Sequence, residues 1–153
     1  MIAEQLNSKD ARVAEALALI RSAFAGMTGR IAPPSSMHLM TFESLCEDAR
    51  SKELWGIGNP LRACVLLTPR PDRLYIGKLA VAETFRGQGL ARDLVVLAET
   101  RAKDMGLACL ELETRVELTE NHDVFRKLGF EEVARTAHPG FDRPTSITFR
   151  KVL

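Results

Sequence analysis

The chain has 153 residues, of which 46% are hydrophobic, enough for one domain with a sizeable core. Its 21 basic and 20 acidic residues leave a net charge of +1, which gives no general reason to bind nucleic acid or an anionic membrane. The three cysteines are odd in number and form no C-x-x-C pair, so we expect buried reduced thiols and no metal site. Without a signal peptide or an apolar run near the length of about 20 residues that spans a bilayer, a cytoplasmic protein is expected.

The first half of the chain is predicted to form a short strand, two helices and an antiparallel meander. Asp10 is the expected N-cap of the first helix, because its carboxylate can accept from unpaired backbone N–H groups. The second helix is expected to turn Met40, Leu45 and Phe42 inward. The predicted elements are a strand at 1–7, helices at 10–27 and 37–51, and strands at 53–57, 61–68 and 73–81.

The second half contains the clearest helix and a strand–helix–strand unit. Apolar residues recur on one face from Leu90 to Met105, and Gly106 fits the left-handed position that ends a helix. In the next strand, Glu111 and Glu113 alternate with leucines and therefore share the opposite face. The predicted elements are a helix at 90–105, a strand at 108–115, a short helix at 119–128, and strands at 130–136 and 145–153.

The turn that precedes the long helix has the features of an anion site. Gly87 and Gly89 carry no β-carbon, so a ligand can approach the backbone closely, and Arg86 adds a permanent positive charge. The first N–H groups of a helix lack internal partners, and the helix dipole is positive at that end, which favours phosphate. The alternative is that the two glycines form only a tight corner between strand and helix.

Two common phosphate-binding motifs do not fit this turn. A P-loop requires a lysine and a hydroxyl residue after its last glycine, and neither follows Gly89. The dinucleotide fingerprint requires a third glycine where Arg92 stands. An unrelated nucleotide-binding domain is the remaining alternative, and ATP or NAD would then protect the chain from unfolding.

The segment 86-RGQGLA-91 resembles the (Q/R)-x-x-G-x-(G/A) signature of the GNAT superfamily of N-acetyltransferases. A later segment, 119-TENHDVFRKLGFEEV-133, resembles the second conserved block of that superfamily. The resemblance covers about residues 73–136, and the earlier part matches in the order of its elements. It implies one α/β (α+β) domain over 1–153. The central sheet would be mixed and mostly antiparallel, with six to seven strands, one parallel splayed pair and about four flanking helices.

The resemblance also implies acetyl-CoA as co-substrate and no metal. The pyrophosphate is expected on the backbone N–H groups of residues 86–91, and the pantetheine arm along the end of the strand at 73–81. Plain core packing is an alternative account of that strand end. The implied coenzyme-binding residues are Leu79, Ala80, Val81, Arg86, Gly87, Gln88, Gly89, Leu90, Ala91, Asn121 and Phe125.

The implied reaction is transfer of the acetyl group to a primary amine of a small molecule or peptide, by direct attack in a ternary complex. Many relatives have a tyrosine at the position of Phe125, where it protonates the leaving thiolate. Phenylalanine cannot donate a proton, so the acid is absent, is water, or is another group. This departure keeps a second hypothesis open, namely a catalytically weak acyl-CoA-binding or sensing module.

The residues that handle the acceptor are less well marked. Glu111, Glu113 and His122 are the candidate bases, with a solvated polar face and an ordinary helix-start histidine as the alternatives. In the loop 137-AHPGFDRP-144, His138 and Phe141 are candidate substrate-binding residues, although the prolines and glycine alone can set a turn. The acidic residues favour a cationic amine, and the resemblance suggests a homodimer, because dimers are common in relatives.

Overall fold

The computed structural model describes residues 2–153, except for the side chain of His38. Over this range the chain forms one seven-stranded sheet and four α-helices. The strands are Ala3–Gln5 (β1), Glu53–Ile57 (β2), Ala63–Pro69 (β3), Leu74–Val81 (β4), Cys109–Arg115 (β5), Glu131–Thr136 (β6) and Ser146–Val152 (β7). The helices are Arg12–Ala25 (α1), Phe42–Ser51 (α2), Leu90–Asp104 (α3) and Thr119–Lys127 (α4).

The strand order in the sheet is β1-β2-β3-β4-β5-β7-β6, and β4–β5 is the parallel pair in an otherwise antiparallel sheet. This confirms the expected mixed sheet with one parallel pair and four flanking helices. β4 and β5 pair at Leu74–Leu110 and Tyr75–Glu111, where their ladder ends. The two strands therefore splay apart over most of their length.

Each face of the sheet has its own apolar core. The long helix α3 packs on one face, where Leu90, Leu94 and Ala98 are almost fully buried. On the other face, α1 and α2 cover β2, β3 and the end of β4, with Ile20 and Leu45 fully buried. Burying one such leucine stabilises the fold by about 1.5–3 kcal/mol, so these faces fix where both helix layers sit.

A β-bulge in β4 reverses which side chains face each core. Cys64 pairs with Ala80 and Leu66 with Gly77, so Val65 alone lies opposite two residues of β4. One of these two, Lys78, has φ 51°, a left-handed conformation that is unfavourable for a residue with a β-carbon. The bulge lies where β4 has already parted from β5, so the backbone irregularity is at the cleft between them.

The predicted helix at 37–51 is wrong in its first third. A 3₁₀ turn at Ser36–Leu39 is followed by an extended break, and α2 begins only at Phe42. Thr41 and Ser44 form a reciprocal capping box, in which each side chain accepts from the other's backbone N–H at 3.1 and 3.0 Å. Phe42, expected to face inward, is 44% exposed because the buried face begins one turn later, at Leu45.

Asp10 is not the N-cap of α1, which is Ala11. Its Oδ1 still accepts from the backbone N–H of Arg12 at 2.9 Å, and its Oδ2 lies 3.1 Å from the Arg12 guanidinium. The guanidinium of Arg12 holds the pKa of Asp10 below its ordinary value. The carboxylate therefore supports the start of the helix as expected, but from one residue earlier in the chain.

Candidate functional site

A cleft of about 1210 Å³ opens where β4 and β5 separate. Its walls come from both sheet faces and from segments distant in sequence. They include the end of α1 and the loop after it, parts of β3, β4 and β5, the first turn of α3, one side of α4, and the β6–β7 connection. The cleft therefore has an end at α3 and an end at the loops, and the two ends are built differently.

The end at α3 is made of open backbone. Gly87 and Gly89 have φ values of 79° and 80°, and no atom beyond the adjoining residues lies within 4 Å of where either β-carbon would stand. Gly89 is the N-cap of α3 and supplies no side-chain cap, and the N–H of Asp93 is bonded to its carbonyl oxygen at 3.0 Å. Leu90 and Ala91, in the first turn of α3, line this space together with Arg86. These features suit a phosphate or pyrophosphate.

The middle of the cleft lies between the inner edges of β4 and β5. Because their ladder ends at Tyr75–Glu111, the later backbone groups of both strands can pair with a bound molecule. Thr114 is 8% exposed, and its Oγ1 has no hydrogen-bond partner in the described part of the chain. Phe125 closes this section, packed edge-on against Phe130 with the ring centroids 6.0 Å apart. This section is suited to a mostly apolar arm that bonds to strand backbone.

Glu111 lies beneath arginine side chains and does not face the cleft. It is 3% exposed, and the solvated polar face considered for it is wrong. Arg150 Nε and Arg73 Nε lie 2.7 and 2.9 Å from its Oε2, and Arg70 Nη1 lies 3.4 Å from its Oε1. Burial acts to raise the pKa of Glu111, but the bonds to Arg150 and Arg73 outweigh it and leave the pKa below its ordinary value. Such a carboxylate is a poor proton acceptor at neutral pH.

Glu113, two residues later on the same face, has a different environment. It is exposed, lines the cleft, and forms no ion pair within the described residues. Tyr75, the only tyrosine of the chain, lines the same cleft. Burial, with the charge of Glu113 adding to it, raises the pKa of Tyr75 to about 12, so the phenol stays neutral. Glu113 is thus the predicted base whose carboxylate borders the open cleft.

His122 is held inside the protein by the start of α4. It is 6% exposed, its Nε2 lies 2.9 Å from the carbonyl oxygen of Arg115, and its ring packs near Phe149. A carbonyl oxygen can only accept, so Nε2 carries the proton in this contact. The ring does not border the cleft and fits the structural role that the sequence left open for it.

The loop end of the cleft is built from side chains that reach across it. Arg115 Nη1 donates to the carbonyl oxygen of Pro33 at 2.6 Å. Arg30 and Glu120, which both line the cleft, form an ion pair at 2.7 Å. These contacts tie the proline-containing loop at 30–36 to the junction of β5 and α4. The loop therefore covers part of the opening.

The two acceptor residues predicted in the loop at 137–144 lie in different surroundings. His138 lines the cleft, and its Nδ1 and backbone N–H both contact Thr145 Oγ1. Phe141 lies outside the cleft lining of the described residues, with the guanidinium of Arg143 5.9 Å from its ring centroid. The structure thus brings His138 to the cleft and leaves Phe141 outside its lining.

Most of the residues predicted for the site line this single cleft. Those it brings together are Leu79, Ala80, Val81, Arg86, Gly87, Gly89, Leu90, Ala91, Glu113, Asn121, Phe125 and His138. Among the described residues, the predicted ones outside the lining are Gln88, Glu111, His122 and Phe141. Sequence reasoning missed Arg70 and Tyr75. The one signal available for Tyr75 was that it is the only tyrosine of the chain and lies on a strand predicted to border the cleft.

Lys78, in the bulge of β4, also lines the cleft. Its Nζ lies 2.7 Å from Asp48 Oδ2, so its charge is already paired with α2 across the bulge. Among the side chains that the structure describes, no three of His, Cys, Asp or Glu are placed to hold a metal ion. No helix within residues 2–153 is long and apolar enough to cross a membrane.

The model of the acetyltransferase (GNAT) family matches residues 28–130, while no curated protein matches. Among solved structures, the PaiA N-acetyltransferase from Thermoplasma acidophilum in complex with coenzyme A has a TM-score of 0.81 at 14% identity, covering 100% of both chains. An acetyltransferase from Streptococcus agalactiae has a TM-score of 0.77 at 14% identity, covering 99% of this chain and 98% of that one.

A GNAT family acetyltransferase from Elizabethkingia anophelis with acetyl-CoA bound has a TM-score of 0.70 at 19% identity, covering 99% of this chain and 97% of that one. At these identities the structural likenesses show the fold, and the family follows from the sequence match. That match includes the turn at 86–91 and most of the second block. The chain belongs to the GNAT acetyltransferase family, a family of acyl-transfer enzymes.

Proposed function

We propose that this protein transfers the acetyl group of acetyl-CoA to a primary amine of a small molecule or peptide, by direct attack within a ternary complex. The observation that carries the proposal is the shared cleft. An open helix N-terminus at Gly89, the splayed edges of β4 and β5, and the carboxylate of Glu113 all border it. The features that would hold a phosphate, an extended arm and a proton therefore lie along one continuous space.

The donor end would hold coenzyme A mainly through backbone groups. The pyrophosphate would accept from the N–H groups at 86–91, and Arg86 would balance part of its charge. The arm would pair with the edge of β4 at Leu79–Val81 in the manner of an added strand. In support, the left-handed glycines leave open space where side chains would stand.

Glu113 would serve as the general base, directly or through one water, because an amine must be neutral to attack a carbonyl carbon. Backbone N–H groups of β4 near the bulge would stabilise the oxyanion that forms on attack. Phe125 can donate no proton to the leaving sulfur. A thiol with a pKa near the cysteine value of about 8.5 is an adequate leaving group with a proton from solvent.

A second candidate function, acyl-CoA sensing without turnover, is favoured by the same Phe125. Its phenyl ring packs against Phe130 and near Phe149, so it contributes to the core as well as to the cleft wall. The position would serve packing alone if no chemistry took place. For either function we propose a cytoplasmic location. In support, all three cysteines are free, and free thiols are usual in the cytosol, where disulfides are rare.

The test is amine-dependent release of the coenzyme A thiol, measured over a panel of amines, amino acids and short peptides. Transfer requires one thiol released per amine acetylated. Glu113→Gln should lower kcat/KM by about tenfold to 100-fold. His122→Gln is the comparison, since its ring does not border the cleft. Tight acetyl-CoA binding with no amine-dependent release across the panel would establish the sensing function instead.

A further inference from the structure

The side chain of Arg70, which the reaction described above does not use, occupies one wall of the cleft. It follows β3 at the turn into β4, and its backbone N–H donates to the carbonyl oxygen of Arg73 at 2.8 Å. Its guanidinium carbon lies 4.2 Å from the centroid of the Tyr75 ring. Stacking on an aromatic face fixes the plane of a guanidinium and leaves its N–H groups pointing outward at the edge.

Arg70 is also the least engaged member of the cluster around Glu111. The oxygen Oε2 of that carboxylate lies 2.7 Å from Arg150 and 2.9 Å from Arg73. Arg70 reaches the other oxygen at 3.4 Å, the longest of the three contacts, and its side chain is 37% exposed. Arg73 is also paired with Asp72 Oδ1 at 2.6 Å, so two carboxylates serve three guanidinium groups, which leaves one positive charge in excess and donors of Arg70 unused.

Arg70 and Tyr75 line the cleft, whereas Arg73 and Arg150 do not. A flat guanidinium with free edge donors matches a carboxylate, which can accept two parallel hydrogen bonds. The negative Glu113, on β5, lines the same cleft. The acceptor part of the cleft therefore offers both a cation and an anion.

We propose that the acceptor is an amine that also carries a carboxylate, bound by Arg70, and this inference rests on the proposed N-acetyltransfer. Tyr75 is the β4 residue beneath Arg70, and the bulge at Lys78 is three residues further along. At a rise of about 3.3 Å per residue, this places the amine on the order of 10 Å from the carboxylate. A short peptide with free N- and C-termini, or a long ω-amino acid, has that spacing, and a single α-amino acid does not.

The experiment compares glycine, diglycine, triglycine and tetraglycine with their C-terminal amides, which differ from the acids by one charge. We expect kcat/KM for the acid to exceed that for the amide by about tenfold at the length of two to four residues, mostly through KM. Arg70→Gln should abolish the difference between acid and amide at each of these lengths. Arg150→Gln, which alters the same Glu111 cluster outside the cleft, should retain the difference.

A second readout does not depend on turnover. Calorimetric titration of the N-acetylated peptide acids and amides into the protein with coenzyme A present should show the same preference, again lost in Arg70→Gln. Acid and amide within about twofold of each other in both assays would overturn the inference, as would an equal loss in Arg150→Gln. Equal acetylation of acids and amides would leave the transferase function standing. Failure of every amine to release thiol would instead count against that function.

Discussion

The two ends of the cleft are built from different parts of the chain. The end at α3 is made of backbone between residues 79 and 91, where an irregular strand, two left-handed glycines and a helix start follow one another directly. The loop end is made of side chains from four separate segments, at 30–37, 68–75, 113–120 and 138–146. The first end is local in sequence, and the second exists only after folding.

This difference explains why the sequence identifies the donor far better than the acceptor. A backbone site needs glycine where φ is positive and a helix start beside it, and such requirements leave a short motif. A side-chain site needs particular atoms to converge, and many residue combinations can do that. If the two ends of the cleft have these separate roles, substitutions at the α3 end should affect coenzyme A binding. Substitutions at the loop end should affect acceptor selection.

The largest effect is expected for Gly89→Val. A valine β-carbon and its methyl groups would occupy the space now open at the helix N-terminus, so affinity for coenzyme A should fall by about 100-fold or more. Gly106→Val is a matched control, because Gly106 follows the other end of the same helix, has φ 73° and is equally open. Both variants carry similar left-handed strain, of about 1–2 kcal/mol. Equal loss of affinity in the two variants would show that strain alone is responsible.

The next effect concerns the two glutamates of β5. Glu111→Gln should lower the free energy of unfolding by about 2 kcal/mol, less than for a fully buried ion pair because the arginines reach solvent. Glu113→Gln should change it by less than about 0.5 kcal/mol. Denaturant unfolding at neutral pH measures both. Similar values for the two variants would mean that the arginine cluster adds no stability.

The effect of Glu111→Gln should depend on pH in a defined direction. The pKa of Glu111 is lower in the folded chain than its ordinary value, so its contribution is fully present above an unfolded pKa of about 4.3. That contribution is lost as the pH falls through the lower, folded-state pKa. The stabilities of wild type and variant should therefore converge in acid. A gap that stays constant or widens on acidification would contradict the assigned ion pairs.

The smallest effect is expected for Phe125→Tyr. The added hydroxyl would stand at the cleft wall, where the ring already packs near Phe130 and Phe149. If protonation of the leaving thiolate limits the rate, kcat should rise by about two- to fivefold without a change in KM for the amine. Steady-state kinetics at a saturating concentration of amine measure this kcat. An unchanged kcat would mean that solvent supplies this proton without delay.

The sequence predicted the regular elements that have strong periodicity or a glycine stop. The helix α3 and its left-handed Gly106 are where the pattern placed them. The bulge at Lys78 was not predictable, because no residue type there signals positive φ. The start of α2 was missed because the hydroxyl of Thr41 competes with helix continuation, a contact that depends on the break before it.

The candidate site was predictable in the same uneven way. The alternation of leucine and glutamate in β5 correctly placed Glu111 and Glu113 on one face. It could not show that Glu113 is exposed and Glu111 buried. The difference arises because Arg70 and Arg73, from the turn between β3 and β4, and Arg150, from β7, cover Glu111 alone. Such coverage is a property of the folded sheet and leaves no pattern in β5 itself.

The central claim is that coenzyme A binds to the backbone between β4 and the first turn of α3. Amide hydrogen exchange of the whole protein, with and without coenzyme A, tests it without any substitution. We expect exchange to slow at residues 79–91 and to stay unchanged at 103–107, the other end of α3, because hydrogen-bonded amides exchange slowly. Tight binding of coenzyme A with no added protection at 79–91 would contradict the claim.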